Sequence, residues 1–485
     1  MIVKLVLIAL YAGMIIYIGL LGLKKTQSFN DYVLGGGNVG PWMSALSYGT
    51  AYFSAVLFIG FAGKVGWSFG YSGLWIGLLN GIVGVFLVWK VIGWRVRKLS
   101  AEYQVGTMSE LLEKRYNSKI FKLMASIVIF IFMIPYSAAV FMGLSYLFTT
   151  TFGINYEVIL IFMGLFTALY VIMGGYQSMA LIDMIFGIIM TIGVGVLMVS
   201  TVDKGNGFAA ITSALDAVNP ALTAPIGAPG FWPLFSLIFL TSVAPFAMPQ
   251  LVAKFYAIKD ERSVKIGTWA STFFALLIGG VAYYVGATTH VFLSPEKTPN
   301  AFIDGKPDFD KLMPELLTNI IPESLSGIIL LLILSASMST LASLVLISSS
   351  SFSKDFWAGF VNKDMSDRSL VKLMRWMSAA FILLAVMLAW VEIDVIVEIL
   401  GISWGAMGAF FLGPFIWGIF TDKVNKYGAY ASALVGLSTT LILYFYGASL
   451  EGAKEWYFTS PGAGTVGMIV SLLLNPIVSL VVKEK

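Results

Sequence analysis

Cysteine is absent from the 485 residues, and histidine occurs once, at His290. The first absence excludes disulfides, thiolate metal centres, iron–sulfur clusters and cysteine nucleophiles. The second excludes metal sites built from histidine clusters. Charge is scarce as well: Asp, Glu, Lys and Arg make up 12% of the chain, against roughly 25% in soluble globular proteins. Hydrophobic residues reach 58%, and the mean hydropathy is +0.87. Such a chain cannot cover a water-facing surface, so it belongs to the polytopic membrane class. The net charge of +4 is modest and calls for no nucleic-acid partner. The run Gly35-Gly36-Gly37 has no preceding strand and no Lys-Ser/Thr follower, which argues against a phosphate loop. No Ser/His/Asp or paired-carboxylate site can be assembled, and nothing argues for an enzyme.

Apolar runs of about 20 residues mark membrane spans. They fall at about 2–22, 40–65, 72–94, 120–149, 155–173, 178–202, 230–256, 264–293, 324–352, 369–391, 394–421, 427–447 and 463–483. None alternates as a transmembrane strand would, so thirteen helices are expected. Thirteen crossings put the termini on opposite sides. Of the 30 basic residues, 22 then fall on one side and 7 on the other, with Lys90 between. Lys24, Lys114, Lys254, Lys363 and Lys485 are on the rich side; Lys64, Lys306 and Lys454 are on the poor one. By the positive-inside rule the N-terminus is outside and the C-terminus cytoplasmic, in a multi-pass cell-membrane protein. The connection 294–323 reads as a loop with a short amphipathic helix.

Two spans carry residues ill suited to a continuous helix in lipid. Span two mixes Ser44, Ser47, Gly49, Thr50 and Ser54 with Tyr48 and Tyr52. Span seven holds Pro245 and Pro249, four apart, each removing a backbone donor. They are the first members of two blocks of five spans, and an odd spacing inverts the second block. Either both helices are kinked but continuous, or both are broken around a binding site. Span nine places Ala336, Ser339, Thr340 and Ser343 on one face. Such a face suits close helix packing or a small hard cation. Asp183 lies about one turn inside span six. It reads as a cation ligand, a proton carrier or a boundary carboxylate reaching water. No intramembrane Lys or Arg is obvious to pair the carboxylate of a bound solute. Glu392, Asp394 and Glu398 lie at an outer boundary, as does His290.

Together these residues resemble the sodium:solute symporters, carriers of proline, monocarboxylates, pantothenate, sugars and sialic acid. The matching features are Tyr32 to Gly37, Gly174-Gly175 followed by Asp183, Pro249 with Lys254-Phe255, and Ser337 to Leu341. The likeness spans about residues 1–450. It implies alternating access by a five-plus-five inverted repeat, at 40–202 and 230–421, with an extra N-terminal helix at 2–22 and two C-terminal helices at 427–483. It implies a sodium site made by the carbonyls of Thr50, Phe53 and Ala336 and the hydroxyls of Ser339 and Thr340. Some members hold a second sodium, at positions matched by Asp183, Ser339 and Ser343; Ala342 stands where they carry another Ser. The implied substrate positions are Tyr52, Ser54, Val56, Tyr136, Thr241, Pro245 and Pro249. Proline carriers place Asp and Trp where this chain has Tyr52 and Val56, and sugar carriers a Gln near Leu57. The expected function is sodium-coupled import of a small organic solute, an amino acid such as proline or a short monocarboxylate. The carrier is expected to work as a monomer in the bilayer. Alternatives are a proton-coupled carrier of this fold, a sugar- or pantothenate-type substrate, and, less favoured, a transporter-like sensor.

Overall fold

With no water in the bilayer, each span must satisfy its own backbone, and helices are the economical solution. The computed structural model describes residues 2–25, 29–450 and 455–483, and is almost wholly helical. Among these residues strand pairing is confined to a hairpin, Phe302–Ile303 against Lys306–Pro307, and a single parallel bridge between Val39 and Ile258. Lys454 and Lys485, assigned to opposite sides by their charge, lie outside the described residues.

Among the described residues twelve helices are long and apolar enough to cross a membrane, where thirteen were expected. The difference arises in span two. Its first half, Pro41–Tyr52, is too short to cross, and its second half starts at Val56 and is continuous with span three to Tyr103 through a tight turn at Gly70–Gly73. Apart from span seven, most of the other expected runs meet single helices. Examples are Lys119–Phe152, Tyr156–Met173, Tyr176–Lys204 and Lys426–Ala448. Spans ten and eleven, which nearly touch in sequence, are separate helices, Asp367–Val391 and Ile396–Phe420. The chain reverses there through Glu392 in the left-handed region, φ 47°.

Spans nine (Ser326–Val361) and eleven are the most enclosed. Each packs against one of the interrupted helices, span nine against Pro41–Tyr52 and span eleven against the turn Ala244–Phe246. Close approach is set by small residues. Gly66, in the second half of span two, touches the backbone of Gly286 in span eight, Glu261–Ala287.

The loop 294–323 contains the short helix Phe309–Ile320, as expected. Its Asp310 is buried, and Oδ2 accepts the Ile396 N–H at 3.0 Å. The carboxylate thus caps span eleven, whose own Val395 offers no side-chain cap. Nearby, Lys64 Nζ lies 2.6 Å from Glu398 Oε1, and Glu398 also accepts the Ser460 N–H. Glu398 is therefore more than a boundary residue: it ties spans two, eleven and thirteen. His290 stacks on Trp67 and bonds its carbonyl; burial there pushes the imidazole below its ordinary range.

Burial pushes Asp310 up to about 7, opposed by the Ile396 N–H, raised further by Asp308, opposed by Lys64 and raised by Asp394. A carboxyl raised in the folded state binds more protons folded than unfolded. Its contribution is full below the unfolded value and is lost as pH rises through about 7. Asp310→Asn keeps an acceptor for Ile396 and removes the charge. Its thermal stability in detergent should therefore exceed wild type most at pH 8 and least at pH 5. The same difference at both pH values would remove Asp310 from this role.

Candidate functional site

The helix Pro41–Tyr52 stops because Phe53 turns extended, φ −105° and ψ 120°. The backbone donors beyond it are met from elsewhere. Ser54 Oγ accepts the Val56 N–H at 3.2 Å, and Ser337 Oγ of span nine accepts the Ala55 N–H at 3.1 Å. Ser337 in turn donates to the Ile333 carbonyl. Span seven breaks in the same manner. Helix Phe231–Val243 tightens at Ala244–Phe246, Met248 is extended, and a new helix runs Pro249–Tyr256. Pro249 sits at the first turn of that helix, where a missing N–H costs nothing. Both sequence-marked spans are therefore broken rather than merely kinked.

Beside the first break, oxygens of spans two and nine converge. Thr340 Oγ1 lies 3.4 Å from the Thr50 carbonyl, 3.3 Å from that of Ala51 and 3.1 Å from that of Ala336. Ser339 Oγ lies 2.8 Å from Thr50 Oγ1. A threonine hydroxyl has one proton and cannot serve three carbonyls at once. These residues are buried. A dry cluster of carbonyl and hydroxyl oxygens with too few protons is the ligand chemistry of a small hard cation. Of the expected set, the structure brings together Thr50, Ala336, Ser339 and Thr340, and it adds Ala51. Phe53 is the extended residue at the break and also lines the neighbouring cavity. Ser343 is a turn further along span nine, and no hydrogen bond joins it to Asp183 among the described residues.

A small cavity lies between the two breaks. Tyr52, Ser54, Val56, Tyr136 and Thr241 line it, as expected, whereas Pro245 and Pro249 do not. Tyr52 bridges the broken helices by donating to the Thr241 carbonyl at 2.5 Å. Sequence reasoning missed the far walls: Asn80 of span three, Tyr283 of span eight, and Leu400 and Trp404 of span eleven. Asn80 contacts Thr241 Oγ1 at 2.8 Å and Ser242 Oγ at 2.9 Å. A lone amide within an apolar run was the available signal for it. No charged side chain lines the cavity.

Asp183 is 1% exposed, so it is not a boundary carboxylate reaching water. Its Oδ2 accepts Ser47 Oγ at 2.5 Å and lies 3.4 Å from Lys254 Nζ. Lys254, counted in sequence among the cytoplasmic basic residues, is instead buried at 4% exposure in the second half of span seven. A buried cation therefore stands beside Asp183, which the sequence reading did not pair with it. The run of Lys259, Arg262 and Lys265 beyond it disguised it as part of a basic loop.

Two broken membrane helices, a cluster of buried oxygens at one break and a cavity between them define a secondary transporter. The family model of the sodium:solute symporter family matches residues 32–436, and the chain belongs to that family. Sodium is accordingly the coupling ion, and the cargo is a small solute. Among curated relatives, the osmoregulated proline transporter OpuE of Bacillus subtilis is 27% identical, covering 98% of this chain and 94% of its own length. The sodium/proline symporter of Escherichia coli is 26% identical, over 99% and 95%. The sodium/pantothenate symporter of Haemophilus influenzae is also 26% identical, over 88% and 87%. A solved structure of a Na+-coupled sialic acid symporter, in a substrate-bound outward-open state, shares the fold. Its TM-score is 0.82 at 18% identity, covering 99% of this chain and 97% of that one.

Proposed function

We propose that this carrier imports an amino acid such as proline, or a short monocarboxylate, with sodium held by Thr50, Ala51, Ala336, Ser339 and Thr340. The observation that carries the substrate class is the uncharged, aromatic cavity between the breaks. An apolar ring or short chain fits Tyr52, Tyr136, Tyr283 and Trp404 better than a polyhydroxyl sugar does. With no cationic side chain in the wall, the solute carboxylate would be balanced by the sodium and by the helix ends at the breaks. Proline stands first because two of the relatives above are named as proline carriers. The blocks 40–202 and 230–421 act as inverted repeats that expose the site alternately to each side, and the monomer suffices.

Purified protein in proteoliposomes should take up labelled proline, acetate or pyruvate under an imposed inward sodium gradient. Pantothenate and a sugar serve as comparisons. Uptake driven equally by a proton gradient in sodium-free buffer would defeat the sodium assignment.

The orientation proposed from the basic residues has its own expected result. A single Cys at position 306, in the exposed hairpin strand, should react with an impermeant maleimide in intact cells, and one at 114 should not. The cysteine-free background makes either signal unambiguous. Labelling at 114 from outside would reverse the topology.

A further inference from the structure

The wall of the cavity between the breaks has a polarity of its own. Asn80 is 3% exposed, and one end of its amide meets both Thr241 Oγ1, at 2.8 Å, and Ser242 Oγ, at 2.9 Å. The Ser242 hydroxyl has no other partner among the described residues. A nitrogen at that end would leave the Ser242 proton without an acceptor, whereas an oxygen takes it. The amide nitrogen is then left for the cavity that Asn80 lines, and it makes no hydrogen bond among the described residues. Trp404, also 3% exposed, lines the same cavity, and its indole N–H is buried without a hydrogen bond. The Tyr136 hydroxyl stands close to Trp404 and to Ser54. The acceptors of the wall are already engaged: Asn80 Oδ1 by the two hydroxyls, the Thr241 carbonyl by Tyr52, and Ser54 Oγ by the Val56 N–H.

The wall thus offers N–H donors and no acidic group. Such donors suit a carboxylate, which only accepts; they cannot serve an ammonium, which only donates. We propose that Asn80 and Trp404 hold the carboxylate of the solute, and that the solute is a short monocarboxylate rather than a zwitterionic amino acid. The inference rests on the sodium-symport reading above and decides within it. The names of the relatives put proline first; the polarity of the wall reverses that order. Charge points the same way. Sodium and a monocarboxylate cancel, whereas sodium and an amino acid leave one positive charge in a buried site, where an unpaired charge is costly. No acidic side chain lines the cavity to meet it, and Asp183, the buried carboxylate of span six, is already held by Lys254. The aromatic faces would attract an ammonium, but they are poor acceptors for its N–H groups.

The test compares solutes of nearly one shape that differ in the ammonium: cyclopentanecarboxylate against proline, and isobutyrate against alanine. Isothermal titration of the purified full-length protein, with and without sodium, reads their binding. In sodium, the monocarboxylate of each pair should bind more tightly than its amino acid, by about tenfold or more, the worth of a hydrogen bond to a charged group in a dry site. Trp404→Phe keeps a ring and loses the N–H, and should weaken isobutyrate by a similar factor. Asn80→Asp sets an anion against the carboxylate; it should weaken isobutyrate further and shift the preference toward alanine. Equal or tighter binding of the amino acids by wild type would overturn the proposal. So would unchanged isobutyrate affinity in folded Trp404→Phe and Asn80→Asp. Should neither variant fold, the two pairs on wild type decide. Absence of sodium-dependent binding for all four solutes would defeat the reading on which the inference rests, and the inference with it; a sodium-dependent preference for proline would defeat the inference alone.

Discussion

Removing the Thr340 hydroxyl, as Thr340→Val or Thr340→Ala, is expected to raise the sodium concentration for half-maximal uptake at least tenfold. The hydroxyl oxygen stands among the Thr50, Ala51 and Ala336 carbonyls, and nothing else reaches all three. A polar contact to a charged group in a dry site contributes about 1.5–3 kcal/mol, and 1.4 kcal/mol is a factor of ten. Valine preserves the branched shape, so the loss is of the oxygen rather than of packing. Ser339→Ala should act in the same direction but more weakly, because its oxygen contacts the Thr50 side chain rather than the carbonyls. Sodium titration of uptake at fixed solute concentration reads both. Unchanged sodium dependence in both variants, at normal expression, would move the ion away from span nine.

A larger loss, of the folded carrier itself, is expected from Gly66→Val. Even a Cβ at Gly66 would lie 2.0 Å from the Gly286 carbonyl carbon and 2.1 Å from its oxygen. Those atoms are backbone and cannot rotate aside, in contrast to the end of a flexible side chain. Gly286 is equally constrained, since a Cβ there would lie 2.1 Å from the Ala62 carbonyl oxygen. The contact joins the second half of span two to span eight, so separating them disturbs the break at Phe53 and the cavity together. Gly280→Ala in the same span eight is the matched control, for its Cβ would meet nothing within 4 Å. Fluorescence-detected size exclusion should show a monodisperse peak for Gly280→Ala and little or none for Gly66→Val. Equal peaks would mean that the two helices can separate without cost.

The helices were legible because a bilayer demands a long apolar run, and such a run is a property of adjacent residues. The breaks were legible for the same reason: Pro245 and Pro249, or the Ser, Gly and Thr of span two, interrupt the run where they stand. Half of the oxygen cluster proposed to hold sodium could be read from Ser339 and Thr340 lying on one helical face. What closes the break was not legible, because the Ser337 bond to Ala55 joins residues far apart in the chain. The walls supplied by Asn80, Tyr283 and Trp404 are of the same kind, each belonging to a different helix. Lys254 was misread for a local reason. Proline at 249 starts a fresh helix and carries the lysine inward, while its sequence neighbours are those of a cytoplasmic loop. The count of helices differed because the turn at Gly70–Gly73 is helical enough to join two crossings.

The Asp183–Lys254 pair has a consequence for how the chain is made. Its members sit on spans that leave the ribosome one after the other, so Asp183 enters the bilayer before its counter-charge exists there. A lone Asp costs about 2.5–3.5 kcal/mol on insertion at a helix centre, and Asp183, about two turns into Tyr176–Lys204, bears a part of that cost. Lysine, with a long stem near the end of its helix, can reach toward water while it waits; aspartate cannot. Span six must therefore remain close to the insertion machinery, or to water, until span seven docks against it. The pair makes the assembly of the two halves of the carrier a condition for the release of the first into lipid.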